Sequence, residues 1–360
     1  MNVKRILIIC PHPEGVAPGQ RLKYEQYFQH FRENGFDITV EPFMSKRFWS
    51  IVYKKGYILE KIFWTICGYI KRIALIPFLP FYDGVYIFLN VTPFGLPILE
   101  RLYVTLNPSV IYDIDDLVFL GNTSNVNRLV SLLKRPEKYT YLMQHAKHVI
   151  VCTPYLEKFA LERNNYVSDI SSTINTDTYI PVNTYRNDKP LVIGWSGSHS
   201  TLKYFYLLKD VLLELRKQHS FKILIFGVQE CSIDGLDIEV VPFNETLEVS
   251  TLQRLDIGVY PLPLDEQWVY GKSGLKALQY MALGVPTVAT SIGANLRIIE
   301  NTISGILVTN KEEWLSALII LLDDPEMRKR IGLNGNKKVL AEYSLHANKN
   351  NYLKILKSVF

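Results

Sequence analysis

Short runs of consecutive apolar residues, each closing on a loop and followed by helix-period sequence, recur along this chain. Val3 to Cys10 is such a run, Pro11 to Arg21 is its loop, and Leu22 to Asn34 carries a helical period that Gly35 stops. Ile38 to Val40 reads as the next strand. Strand, glycine-bearing loop, helix and strand in that order open a Rossmann-like domain. Uninterrupted apolar strands belong to parallel sheets covered on both faces. The pattern restarts at Leu191 to Trp195, after a polar stretch at 182–189, and 360 residues are enough for two full cores. The first loop lacks the Gly-x-Gly-x-x-Gly fingerprint, so no dinucleotide cofactor is expected.

Composition narrows the partners. The chain is 48% hydrophobic and 21% charged, as in a globular enzyme. A net charge of +5 suits a phosphate-bearing ligand or an anionic membrane surface, and no nucleic-acid motif accompanies it. Cys10, Cys67, Cys152 and Cys231 are scattered without paired spacing, against a disulfide framework or a zinc site. The first apolar run is too short for a signal peptide, and a cytoplasmic location is expected.

The stretch Trp268 to Gly293 reads as loop, helix, turn, strand and loop. Gly271, Lys272, Ser273 and Gly274 make the entry to a short apolar helix that Gly284 ends and Pro286 keeps from continuing. Small residues at a helix start let backbone N–H groups approach an anion, and the helix dipole favours negative charge there. Lys272 and Lys276, four apart, share one face and would suit a diphosphate. The competing reading is a solvated lysine pair.

This stretch resembles the C-terminal domain of the retaining GT-B glycosyltransferases of family four, the glycosyl transferases group 1. Their block places a glutamate, seven residues and a second glutamate before Ala-Met-Ala-x-Gly-x-Pro-Val-Val-Ala. Here Gln279 to Ala289 aligns with that ending, so Gln279 stands at the second glutamate and Gly271 at the first. The resemblance implies that Gln279 holds the donor ribose through its amide. It also implies that the contact of the first glutamate with the transferred sugar is lost or moves to Asp265 or Glu266.

The resemblance extends over the whole chain and is weakest in 41–105. It implies an α/β chain of GT-B fold, two Rossmann-like domains facing across a cleft. Residues 1–185 would bind the acceptor and 186–345 the nucleotide-sugar donor, with 346–360 packing back as a helix on the first domain. In the second domain, Ser196 to Thr201 is a small-residue loop suited to a phosphate, with Gly197, Ser198 and Lys203 on the diphosphate side. In the first, His12, Gly15 and Arg21 are the acceptor-side candidates. Asp113, Asp115 and Asp116 follow a strand and are the catalytic candidates. Three clustered aspartates need solvent, a lysine partner or a metal, and Asp115 or Asp116 would equally cap a helix before Leu117. No bound metal is expected, because two lysines and a helix dipole would carry the leaving group. Asp177 reads as structural.

Residues 46–82 alternate basic and aromatic side chains with no apolar run of the roughly 20 residues a span needs. They suit peripheral contact with a membrane, at its inner face, or a helical pair packed on the first domain. The implied activity is transfer of a sugar from a nucleotide-sugar to a glycan or lipid-linked acceptor with retention, in surface polysaccharide synthesis. The alternatives are a nucleotide-sugar epimerase of the same build and a sugar-nucleotide-binding protein without transfer.

Overall fold

The computed structural model describes residues 3–120, 135–182, 185 and 190–360. The chain divides into two compact units, Met1–Ser172 with Asn348–Phe360, and Thr173–Ala347.

The first unit is built on a parallel sheet of six strands in the order β2-β1-β3-β4-β5-β6. These are β1 (Lys4–Cys10), β2 (Phe36–Pro42), β3 (Gly84–Phe88), β4 (Val110–Asp113), β5 (His148–Val151) and β6 (Val167–Asp169). The helices described are α1 (Pro18–Arg21), α2 (Phe28–Glu33), α3 (Lys46–Val52), α4 (Ile58–Leu75), α5 (Ile98–Leu106), α6 (Glu137–His145) and α7 (Pro154–Leu161). The central strands are buried on both faces, which is why their sequences run apolar without alternation. Sheet order reverses between β1 and β3, so the carboxyl ends of those strands form this unit's topological switch point.

Local chemistry breaks the long helix expected over Leu22 to Asn34. It becomes α1, a 3-10 turn at Glu25–Tyr27, and α2. Lys23 turns inward to a carboxylate and Glu25 takes the Gly15 N–H, so this segment follows its side-chain partners instead of a straight helical ladder. The edge strand β6 had no sequence signal: Val-Ser-Asp is too short and polar to show a period. The helical-period sequence of 128–145 falls partly outside the described residues, and the described helix starts at Glu137.

The second unit repeats the plan with the order β12-β11-β10-β7-β8-β9, again all parallel. Its strands are β7 (Leu191–Ser196), β8 (Phe221–Phe226), β9 (Ile238–Val241), β10 (Ile257–Tyr260), β11 (Thr287–Thr290) and β12 (Ile306–Val308). Its helices are α8 (Leu202–Phe205), α9 (Lys209–Arg216), α10 (Glu248–Leu252), α11 (Leu275–Ala282), α12 (Asn295–Ile298), α13 (Lys311–Asp323) and α14 (Pro325–Lys338). Here the order reverses between β7 and β10.

The units part at Ser172 and Thr173, ahead of the polar stretch where the sequence places the boundary. Residues beyond Thr173 are tied into the second unit by backbone and side chain. Leu345 donates its N–H to the Ile174 carbonyl, and the Tyr179 hydroxyl accepts from Gln279. Asp177 meets His346 at 3.0 Å, a structural contact. The final helix, α15 (Leu345–Val359), brings Tyr352 onto the first unit's Tyr27, ring centroids 4.8 Å apart.

Candidate functional site

The second unit's switch point is assembled by α11. Gly274 precedes this helix in the left-handed region, with φ 73°, where a side chain would strain the backbone and its Cβ would come within 2.2 Å of Ile298. A glycine offers no capping side chain, so Gly274 itself satisfies none of the first-turn N–H groups of α11 through a side chain. One turn in, the Tyr280 hydroxyl accepts from the Ser196 N–H at 2.7 Å and meets Ser196 Oγ at 2.9 Å, which docks α11 on the end of β7.

That docking sets Lys276. Its ammonium lies 6.0 Å from the ring centroid of Trp195 on β7 and 5.2 Å from that of Tyr260 on β10, spanning the two strands between which the sheet order reverses. Lys272 stands over Trp268, 5.2 Å from the ring centroid. Among the described residues no carboxylate lies within ion-pair distance of Lys276. Burial, and secondarily the charge of Lys272, lower its pKa to about 8. A half-buried cation beside a second cation, at a helix N-terminus, is an arrangement that an anion would relieve.

The other residues read from the second unit's sequence are placed differently. Gly197 and Ser198 lie beside the strand end, but their N–H groups are spent inside the loop, on the Phe226 carbonyl and on Thr201 Oγ1. Lys203 pairs with Glu266 at 3.1 Å, and Tyr204 donates to the same carboxylate at 3.0 Å. The two expected donor contacts therefore meet each other. Gln279 departs furthest from expectation. It is buried, and its amide donates to the Tyr179 hydroxyl at 2.8 Å and to Glu248 Oε1 at 3.1 Å. The partners are tertiary: Tyr179 and Glu248, 100 and 31 residues away, close over this side chain. Gly271 closes the 3-10 turn Gln267–Gly271, with Lys272 and Ser273 half-buried after it. Asp265 is exposed and borders a cavity of about 330 Å³ that also touches Leu262, Thr290, Asn310 and Trp314.

In the first unit the aspartates separate. Asp113 is wholly buried and makes an ion pair with the buried Lys23, while the Tyr86 hydroxyl donates to it. Burial works against the charge of Lys23, and the nearby acids, Asp113 first, outweigh it and hold its pKa above the ordinary value. A carboxylate so enclosed does not face solvent, which is at odds with Asp113 as a catalytic candidate. The half-buried Asp115 sits against Gly19, where an added Cβ would come within 2.5 Å of its Oδ2. Asp116 accepts from the neighbouring Leu117 N–H at 2.9 Å, just ahead of the 3-10 turn Val118–Leu120. Among the described residues no group of three His, Cys, Asp or Glu side chains is arranged to hold a metal.

The first loop is likewise internally tied. Gln20 brackets His12 by bonds to its N–H and carbonyl, at 3.0 and 3.1 Å. Gly15, at φ 81°, donates to Glu25. The His12 ring packs edge-on against Trp49, and burial lowers its pKa to about 4. It is neutral at physiological pH. Arg21 is half-buried at the end of α1. Sequence reading missed Lys23, Tyr280 and Trp195. Lys23 and Asp113 lie ninety residues apart, with no local pattern linking them.

Known proteins place this arrangement in a class. Residues 190–324 match the family model of the glycosyl transferases group 1. The whole chain superposes on sucrose-phosphate synthase from Thermosynechococcus elongatus with a TM-score of 0.71, at 16% identity and 99% coverage of both chains. A glycosyltransferase from Rickettsia africae gives 0.68 at 15% identity, covering 100% of this chain and 99% of that one. Anabaena HepE, solved with UDP-glucose, gives 0.67 at 13% identity over 98% and 99%.

The protein has the GT-B fold. Its second unit matches the glycosyl transferases group 1 model over residues 190–324.

Proposed function

We propose that the protein moves a sugar from a nucleotide-sugar to a glycan or lipid-linked saccharide, with retention and without a metal, in surface polysaccharide synthesis on the cytoplasmic side. The carrying observation is Lys276: a half-buried ammonium at the β7/β10 switch point, beside Lys272, with its pKa lowered to about 8. A diphosphate there would meet two cations and the amino end of α11, which Gly274 does not cap with a side chain. The same groups would stabilise the charge that develops on the leaving nucleotide as the sugar departs. The acceptor is assigned to the first unit, near the loop containing His12, Gly15 and Arg21.

Thermal shift against UDP-, GDP- and ADP-sugars tests this, with Lys276→Ala beside the natural chain. Stabilisation by one nucleotide class that vanishes in the variant supports the donor site. No shift with any nucleotide overturns it. With a donor and acceptor identified, the anomeric configuration of the product, read by NMR, tests retention.

A second reading has its own observation. The positions of both family glutamates are Gly271 and Gln279, and the Gln279 amide is committed to Tyr179 and Glu248. Nucleotide-sugar binding with no nucleotide release, whatever the acceptor, would make this a binding protein. Turnover of donor alone to an epimeric sugar would make it an epimerase.

A further inference from the structure

The helix α4 is fastened by one face and bare on the other. On the fastened face Gly68 lies against Phe43, so closely that an added Cβ would come within 2.6 Å of the ring. The Tyr69 hydroxyl donates to the Phe94 carbonyl at 2.7 Å, and Lys71 pairs with Glu41 at 2.6 Å. Arg72 is buried, and its guanidinium donates to the carbonyls of Val91, Glu41 and Cys10 at 2.8–2.9 Å.

The bare face carries Leu59, Ile62, Phe63, Ile66, Ile70 and Ile73, each between 51% and 84% exposed. Their spacing of three and four makes one continuous stripe. A solvated helix would put polar side chains there, and an apolar stripe of this length marks a surface that something covers.

Charge says what covers it. Between Lys46 and Tyr82 lie seven basic residues and the single acidic Glu60, a net +6 in a chain of net +5. Everything outside this segment therefore nets −1. Lys54 and Lys55, at the amino end of α4, are exposed. With Arg72 buried, Lys71 paired with Glu41 and Arg47 with Glu60, the exposed Lys46, Lys54 and Lys55 remain beside the stripe; they would repel a second copy, whereas an anionic lipid surface would attract them.

We infer that α4 lies in the plane of an anionic membrane, its bare face among the acyl chains and Lys54 and Lys55 against the lipid phosphates. The stretch Ile58–Phe81, 24 residues, is also long and apolar enough to cross a bilayer. Crossing would strip Arg72 from three carbonyls and pull α4 away from the small core of Phe43, Phe48 and Ile51. Lying flat breaks none of these contacts. This inference is independent of the donor site.

The test is flotation of the full chain with vesicles of phosphatidylcholine alone and of phosphatidylcholine mixed with phosphatidylglycerol. The chain should float with the mixed vesicles, more weakly with the neutral ones, and leave them in alkaline carbonate. Replacing Ile66→Asp and Ile70→Asp together should weaken flotation by about tenfold or more, from the cost of a charge among acyl chains. Because both positions are exposed, the melting temperature should stay unchanged. The pair Lys54→Glu and Lys55→Glu should weaken binding about tenfold to mixed vesicles only. Absence of binding to either vesicle would overturn the inference. So would a dimer in solution that the aspartates dissociate, or retention in the bilayer through the carbonate wash.

Discussion

The two switch points of this molecule are built on the same sheet plan and treat charge in opposite ways. At the carboxyl ends of the first unit's strands, charges are enclosed with partners: Lys23 with Asp113 and Tyr86, Lys138 with Glu100. His12 has none to carry. At the corresponding place in the second unit, Lys276 is set beside another cation and between two aromatic rings. A buried pair with a satisfied carboxylate holds loops in place. A half-buried cation without a carboxylate is one that an anion would stabilise. On this contrast we propose that the first cluster is architectural and the second binds, although the sequence marks the aspartates more loudly.

The strongest way to break this contrast is Lys23→Ala. If the first cluster is architectural, leaving Asp113 buried and unpaired should cost about 3–5 kcal/mol in urea unfolding. A variant as stable as the parent would return Asp113 to the list of catalytic candidates. Next in size, Gly274→Ala should cost about 1–3 kcal/mol, since it combines a left-handed φ with a clash against Ile298. It should also lower donor affinity, which a purely structural glycine would not.

Lys276→Ala separates binding from folding. Loss of a charged hydrogen-bond donor should weaken the nucleotide-sugar about 10- to 100-fold by calorimetry. The unliganded protein should lose no stability. The sign follows from the lowered pKa. In the unliganded fold Lys276 releases its proton near pH 8, while the unfolded chain holds it to the ordinary lysine value. Stability of the unliganded protein should therefore rise with pH above about 8, and the variant should lack that rise. Donor affinity should fall over the same window, because the anion binds the charged form. The smallest effect expected is for Lys203→Ala: its pair with Glu266 is exposed and worth less than about 1 kcal/mol.

Much of the plan is legible in sequence because parallel strands advertise themselves. Runs such as Val3 to Cys10 and Leu191 to Trp195 are apolar throughout, and turn residues bound them. Gly274, Lys272 and Lys276 are legible for a related reason: a helix start, a glycine and a four-residue spacing are all local. The edge strand β6 is too short and polar to show. The partners of the Gln279 amide are not legible, because its family position does not say what packs against that helix face.

The sequence by itself determined the order of strands and helices, the two-unit plan and the lysine-bearing entry to α11, since each depends on neighbours within a few turns. Only tertiary structure decided which charges pair. Lys23 finds Asp113 across the first sheet, Lys203 finds Glu266, and Lys276 finds two aromatic rings in place of a carboxylate. The physical reason is that the charged form of a side chain is governed by desolvation and by the nearest opposite charge. Both are set by residues distant in the chain.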